Sequence, residues 1–254
     1  MSESSKVDFI ICGAQKGGTT ALFRYLRSHP EIKLSFRKEV HFFDNELFFK
    51  DDLVDYQLYH DHFESFHEDK VRGEATPIYM YWEPSARRIW EYNSQAKLIF
   101  LLRNPIDRAY SHWNMERSKN KESLSFSDAI RCEKDRCKSK LPLQHRVFSY
   151  IDRGFYSEQI RRFCRFFPME NLLFVLSEDL KSDPSSVLSE ICDFIGVSSG
   201  FYSQVEPRLE HSIQYLQPMS EGDRLFLENI FLSEVVFLES FLGRKLSHWL
   251  TQKS

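Results

Sequence analysis

The apolar positions of this chain follow two rhythms that alternate along it. Phe9-Ile10-Ile11 is a short unbroken run, and Leu22, Tyr25 and Leu26 follow at the spacing of a buried helix face. Val71 to Glu74 predicts a weak strand, residues 84 to 92 a short helix, and Lys97-Leu-Ile-Phe-Leu-Leu102 a strand that is apolar at every position after its first. Such a run suits a parallel strand covered on both faces, because both sets of alternating side chains must leave water. Asn104-Pro105 then offers an N-cap and a proline at the first helical position, starting a helix to about Arg117. Ser157 opens another helix with Ile160, Phe163 and Phe167 inward, and Asn171 to Leu176 is the last strong strand. Asp183-Pro184 caps a helix that Gly196 ends; Ser220-Glu-Gly-Asp223 has the form of a capping box for a long final helix ending at Gly243. Strands alternating with helices predict an α/β protein, a three-layer α/β/α fold around a central parallel sheet.

Two stretches break the rhythm. Residues 31 to 70 lack periodicity but carry Phe42, Phe43, Phe48, Phe49, Tyr56, Tyr59, Phe63 and Phe66, which reads as a substrate-side insertion. Residues 118 to 146 are the most polar part, with Arg131, Lys134, Arg136, Lys138, Lys140 and Arg146 against Glu133 and Asp135, and read as a surface loop around a short helix.

Composition narrows the class without naming a function. The 254 residues are 42% hydrophobic and 15% aromatic, with no repeat or low-complexity segment, so a single domain over 1–254 is expected. A net charge of −3 argues against a general nucleic-acid binder. Met-Ser-Glu-Ser-Ser-Lys is too short and polar for a signal peptide, and no run of apolar residues is long enough to span a membrane. A soluble cytoplasmic protein is the expectation. Cys12, Cys132, Cys137, Cys164 and Cys192 form no Cys-x-x-Cys pair, and His60, His62 and His67 have no further close ligand set, so neither disulfides nor a metal site is expected. Nothing in the sequence sets an oligomeric state.

The chemistry concentrates between the first strand and the first helix. Gly13-Ala-Gln-Lys-Gly-Gly18-Thr-Thr has the glycine spacing of a P-loop, whose backbone N–H groups converge on an anion at a helix N-terminus. Thr19 stands where nucleotide triphosphatases carry lysine, and the lysine has moved to Lys16 inside the loop. From there an ammonium can reach the bridging oxygen of a bound phospho-ester, where leaving-group charge develops.

Gly13-Ala-Gln-Lys-Gly-Gly-Thr-Thr-Ala-Leu22 resembles the 5′-phosphosulfate loop of the sulfotransferases that use 3′-phosphoadenosine 5′-phosphosulfate (PAPS), above all the heparan sulfate enzymes and their bacterial homologues. The likeness extends to Lys38-Glu-Val-His-Phe-Phe43, Leu101-Leu-Arg-Asn-Pro-Ile-Asp-Arg-Ala-Tyr-Ser111 and Gly154-Phe-Tyr156. It implies that Lys16, Gly17, Gly18, Thr19 and Thr20 hold the phosphosulfate and that Glu39 is the base for an acceptor hydroxyl, with His41 supporting it. It further implies that Arg103 and Ser111 hold the 3′-phosphate, that Tyr156 lies near the adenine, and that Ser212 contacts the cofactor. The product would be adenosine 3′,5′-bisphosphate, and the reaction needs no metal. Acceptors in this reading are carbohydrates, glycolipids or small hydroxylated metabolites, with amines as a lesser option.

Two departures stand out. Ala75 replaces a lysine of the heparan sulfate enzymes, and Leu209 to Tyr215 lacks the basic, glycine-containing loop of relatives, leaving Arg208 or His211 to compensate. Two rival readings stay open at this point: a P-loop kinase, which would want a lysine after Gly18, and a nucleotide-binding scaffold, which would not need Glu39.

Overall fold

The structure, a computed structural model, describes residues 6–51, 53–64, 70–203 and 217–250. Ser212, Arg208, His211, the stretch 209 to 215, Phe66 and His67 lie outside the described residues. In chain order the elements are β1 (Phe9–Gly13), α1 (Thr19–Leu26), β2 (Ile32–Leu34), α2 (Gln57–His60), β3 (Val71–Ala75), α3 (Ser85–Tyr92) and β4 (Lys97–Leu102). Then come α4 (Pro105–Ser118), α5 (Phe126–Arg131), α6 (Glu133–Cys137), α7 (Tyr156–Cys164), β5 (Leu172–Leu176), α8 (Ser177–Ser182), α9 (Pro184–Ile195) and α10 (Glu221–Leu242).

The chain divides into two compact units. One holds the described residues up to Leu102 and those from Arg162 to 203; the other holds Arg103–Arg161 and 217–250.

All five strands belong to the first unit and form one sheet in the order β2-β3-β1-β4-β5, every neighbouring pair parallel. The apolar strands require that arrangement. Phe9 and Ile11 point to one face, where they join Leu22, Leu26, Leu188 and Ile191 in a core built with α1 and α9. Ile10 and Cys12 point to the other, and all four side chains are shut off from solvent. On β4, Phe100 packs against Phe163 and Phe174, with ring centroids 5.0 Å apart in both cases. The expected parallel α/β sheet flanked by helices is therefore the observed one.

Helix ends also follow the sequence. The Asp183 side chain accepts the Ser186 N–H with Pro184 at the first turn, and Gly196 closes α9 in the left-handed region at φ 84°. Three elements of this unit were not foreseen: β2, three residues long, α2, a single turn of four residues, and α8, a polar turn of helix directly after β5.

The second unit is helical. Its core gathers Ile106, Ala109 and Tyr110 of α4, Phe126 and Ile130 of α5, and Leu227 and Phe231 of α10. Asn104 caps α4 by accepting the Ile106 N–H at 2.9 Å, while its amide donates to the Trp249 carbonyl at 2.8 Å. Ser220 caps α10 by accepting the Asp223 N–H at 3.1 Å, and Gly243 ends that helix at φ 64°. Residues 118 to 146 contain two short helices, α5 and α6, where the sequence suggested one. Among the described residues no helix is long and apolar enough to cross a membrane.

Candidate active site

At the carboxyl edge of the sheet, the turn after β1 is pressed between β4 and the residues that follow β3. The Ala14 N–H donates to the Leu101 carbonyl and the Gly17 N–H to the Ala14 carbonyl, both at 2.8 Å. A Cβ on Gly17 would stand 2.4 Å from the Leu101 carbonyl oxygen, and one on Gly13 would stand 2.5 Å from Met80 Cβ. Lys16 at φ 72° and Gly18 at φ 99° both occupy the left-handed region, which turns successive N–H groups toward one side. Gly18 is also the N-cap of α1, and no side chain caps that end. The residues therefore fit a bound phosphate: a backbone cradle at an uncapped helix N-terminus, with Thr19 and Thr20 in the first turn and a lysine within the loop.

The segment after β2 comes to the same edge through the residues that follow β3. The Thr76 N–H bonds to the Ile11 carbonyl at 3.2 Å and the Met80 N–H to the Cys12 carbonyl at 2.8 Å, so residues 76–80 lie along the end of β1. Residues 40–43 hang on the same stretch. Val40 N–H donates to Thr76 Oγ1 at 2.9 Å and Phe42 N–H to Tyr79 Oη at 2.9 Å. This attachment brings Glu39 and His41 to the sheet edge that carries the glycine loop.

Glu39 and His41 form a charged chain. His41 Nε2 lies 3.3 Å from Glu39 Oε2, His41 Nδ1 lies 3.1 Å from Asp44 Oδ2, and Lys38 Nζ donates to Glu39 Oε1 at 3.2 Å. The hydrogen bond to buried Asp44, and then the one to Glu39, raise His41 to about 9 against the pull of burial. Burial alone would raise Glu39, but the His41 hydrogen bond and the Lys38 charge outweigh it and bring the carboxyl down to about 2. At neutral pH the pair is imidazolium and carboxylate. His41 also sits at φ 59°, a conformation that non-glycine residues rarely adopt.

Behind them lies Glu74, wholly buried at the end of β3. Burial pushes its carboxyl to about 7 despite hydrogen bonds from Thr76, Tyr79 and Tyr59. Asp44 and Tyr79 are members of this region that the sequence reading assigned no role. Asp44 has a local signal, a carboxylate three residues after His41; Tyr79 has none.

In the second unit, Arg103 follows β4 directly and is half-buried, and Ser111 lies buried in the second turn of α4. Tyr156 is fully buried and its hydroxyl donates to the Arg103 carbonyl at 2.9 Å. In this structure it steadies Arg103 and presents no open face for stacking. Gly154 is accounted for by packing, since a Cβ there would meet the Phe231 ring at 2.5 Å.

One expectation about the surroundings changes. Phe42, Phe43 and Tyr59 are buried against one another, with centroids 4.9 to 5.2 Å apart, so they are core and not an acceptor surface. The basic stretch is largely exposed, as expected of a surface segment; Arg131 pairs with Asp223 at 2.6 Å, and Arg136 pairs with Glu122 at 2.7 Å while lying over Phe148. His60 is bonded to the Tyr92 hydroxyl, and no group of His, Cys, Asp or Glu among the described residues is arranged to hold a metal.

Residues 6–230 match the family model described as the sulfotransferase domain. The chain belongs to the sulfotransferase family. It is 26% identical to the membrane-associated sulfotransferase kil1 of Dictyostelium discoideum, over 93% of this chain and 65% of that protein. It is 32% identical to the mouse heparan sulfate glucosamine 3-O-sulfotransferase 3A1, over 74% of this chain and 45% of that protein. The chain thus spans less than two thirds of the length of both curated relatives. A sulfotransferase structure from Alicyclobacillus acidocaldarius superposes with a TM-score of 0.81 at 29% identity, covering 96% of this chain and 98% of that one. Membership of the sulfotransferase family leaves the kinase reading without support, and it agrees with Lys16 standing inside the loop instead of after Gly18.

Proposed function

We propose that this protein transfers a sulfuryl group from PAPS to a hydroxyl, on a carbohydrate, glycolipid or small hydroxylated metabolite. The observation that carries this reading is the ion-paired Glu39-His41-Asp44 chain held at the same sheet edge as the glycine loop. A nucleotide-binding scaffold needs the loop but has no use for an ion-paired carboxylate at the same sheet edge.

In this reading Lys16 and the amides of Gly17 to Thr20 bind the 5′-phosphosulfate, and Arg103 with Ser111 binds the 3′-phosphate through a guanidinium fork and a hydroxyl. The acceptor oxygen attacks sulfur as the sulfur–phosphate oxygen bond breaks, and adenosine 3′,5′-bisphosphate leaves. Lys16 offers its ammonium to the charge that grows on the departing phosphate. Glu39 takes the acceptor's proton. A carboxyl held near 2 is a weak base, yet it suffices when proton loss is late, because the hydroxyl becomes strongly acidic once its oxygen has begun to bond to sulfur. His41 keeps Glu39 ionised and aimed, and Asp44 does the same for His41.

The test is transfer of labelled sulfate from PAPS to a panel of carbohydrate, glycolipid and small hydroxylated acceptors, with Glu39→Gln as control. Transfer abolished in Glu39→Gln while adenosine 3′,5′-bisphosphate binding persists is the expected result. Equal transfer by both proteins would remove Glu39 from the reaction.

A further inference from the structure

Four successive backbone N–H groups, those of Val40, His41, Phe42 and Phe43, end on only two side-chain oxygens. Val40 and His41 reach Thr76 Oγ1 at 2.9 and 3.5 Å; Phe42 and Phe43 reach Tyr79 Oη at 2.9 and 3.4 Å. A hydroxyl has one proton to give and two lone pairs to offer. With both lone pairs engaged by N–H groups, each hydroxyl must send its proton elsewhere, and Thr76 sends its own to a buried carboxylate. Thr76 donates to Glu74 Oε2 at 2.6 Å, and Tyr79 is buried within reach of the same carboxyl's charge. Tyr59 adds a third hydroxyl at Glu74 Oε1, 3.2 Å away. Glu74 is fully buried, so no water competes for these donors.

We infer that Glu74, acting through the hydroxyls of Thr76 and Tyr79, is the positioning residue that sets Glu39 and His41 for transfer. Once ionised, as it is above a pH of about 7, the Glu74 carboxylate only accepts, so it fixes the direction of the protons it receives and leaves the hydroxyl oxygens facing the 40–43 backbone. That backbone needs such a clamp, because His41 is held at φ 59° and an unpinned chain would relax from there. The reacting side chains are thus located by main-chain bonds to a hub in the interior. Glu74 touches neither cofactor nor acceptor in this arrangement and is not a catalytic residue. The inference rests on the proposed sulfotransferase activity for its kinetic arm only.

Three variants test it. Thr76→Val keeps the shape and removes the hydroxyl, Thr76→Ser keeps the hydroxyl, and Glu74→Gln presents an amide that donates where the hydroxyls must also donate. The first readout needs no activity: the titration midpoint of the His41 ring by NMR, assigned by its loss in His41→Gln. The parent and Thr76→Ser should titrate near 9, whereas Thr76→Val and Glu74→Gln should fall toward the ordinary 6.5 as the ring leaves Glu39 and Asp44. The second readout is kinetic: kcat should drop about tenfold to a hundredfold in Thr76→Val with KM for PAPS held, and Thr76→Ser should recover it. Should Thr76→Val fail to fold, Tyr79→Phe carries the same test by freeing the N–H groups of Phe42 and Phe43. A folded Thr76→Val or Tyr79→Phe whose His41 midpoint stays near 9 overturns the inference. If that midpoint moves but even the parent transfers no sulfate to any acceptor, the activity reading fails and the positioning inference stands.

Discussion

Gly17→Ala is the sharpest probe of the phosphate cradle, because what its added methyl would meet is backbone. The new Cβ would lie 2.4 Å from the Leu101 carbonyl oxygen and 2.9 Å from that of Ala14, where ordinary contact begins at 3.4 Å. Neither neighbour can rotate away: Leu101 is bound into β4, and Ala14 is tied to it by a 2.8 Å hydrogen bond. The loop itself must give by about 1 Å. A shift of that size stretches an N–H to phosphate hydrogen bond beyond its working distance. Losing two charge-assisted bonds at about 1.5 kcal/mol each weakens binding by about 3 kcal/mol, more than a hundredfold in Kd. Calorimetric titration with adenosine 3′,5′-bisphosphate reads this directly, and thermal melts verify folding. Gly222→Ala serves as contrast. In α10 its Cβ would meet nothing within 4 Å, so binding should be untouched and stability should rise by up to about 1 kcal/mol. A Kd for Gly17→Ala within threefold of the parent would refute the claim that the cradle is built on that close approach.

Lys16→Ala should lower kcat by orders of magnitude while costing less in the Kd for adenosine 3′,5′-bisphosphate, since leaving-group charge grows mainly in the transition state; equal losses would make Lys16 a binding residue only. Arg103→Ala should abolish the preference for adenosine 3′,5′-bisphosphate over AMP, and competition binding with the two nucleotides checks it. The Glu39-His41 pair should also mark the pH dependence of stability. Glu39, lowered from 4.5 to about 2, stabilises above 4.5 and loses this as pH falls toward 2; His41, raised from 6.5 to about 9, stabilises below 6.5 and loses this as pH rises through 9. The stability gap between the parent and His41→Gln, followed by urea unfolding, should therefore narrow between pH 6.5 and 9; a constant gap would show that the imidazolium is not held.

What could be read from sequence was what neighbours in sequence decide. The glycine loop, Lys16 and the caps at Asn104, Asp183 and Ser220 are local devices, and the unbroken run from Leu98 to Leu102 announces a strand buried on both faces. β2 escaped because Ile32-Lys33-Leu34 is too short to show a period and exists through its pairing with β3, Ile32 opposite Val71. The aromatic run from Phe42 was misread for a related reason: in irregular backbone no periodicity separates inward from outward, and Phe42, Phe43 and Tyr59 turned inward. Glu39 and His41 were visible as residue types, but what holds them was not. Thr76 and Tyr79 lie more than thirty residues from the backbone they pin, and it is the pairing of β2 with β3 that sets the two segments side by side.

The end strand β5 has a consequence for handling the protein. Leu172-Leu-Phe-Val-Leu176 has no charge, proline or glycine, and among the described residues only its β4 side is engaged in the sheet. Released by partial unfolding, such a segment is a template for strand pairing between copies. Pro168, Glu170, Glu178 and Asp179 flank it and limit how far that pairing can spread. Heating should therefore end in aggregation that begins at residues 172–176, and the apparent melting temperature should depend on protein concentration and scan rate.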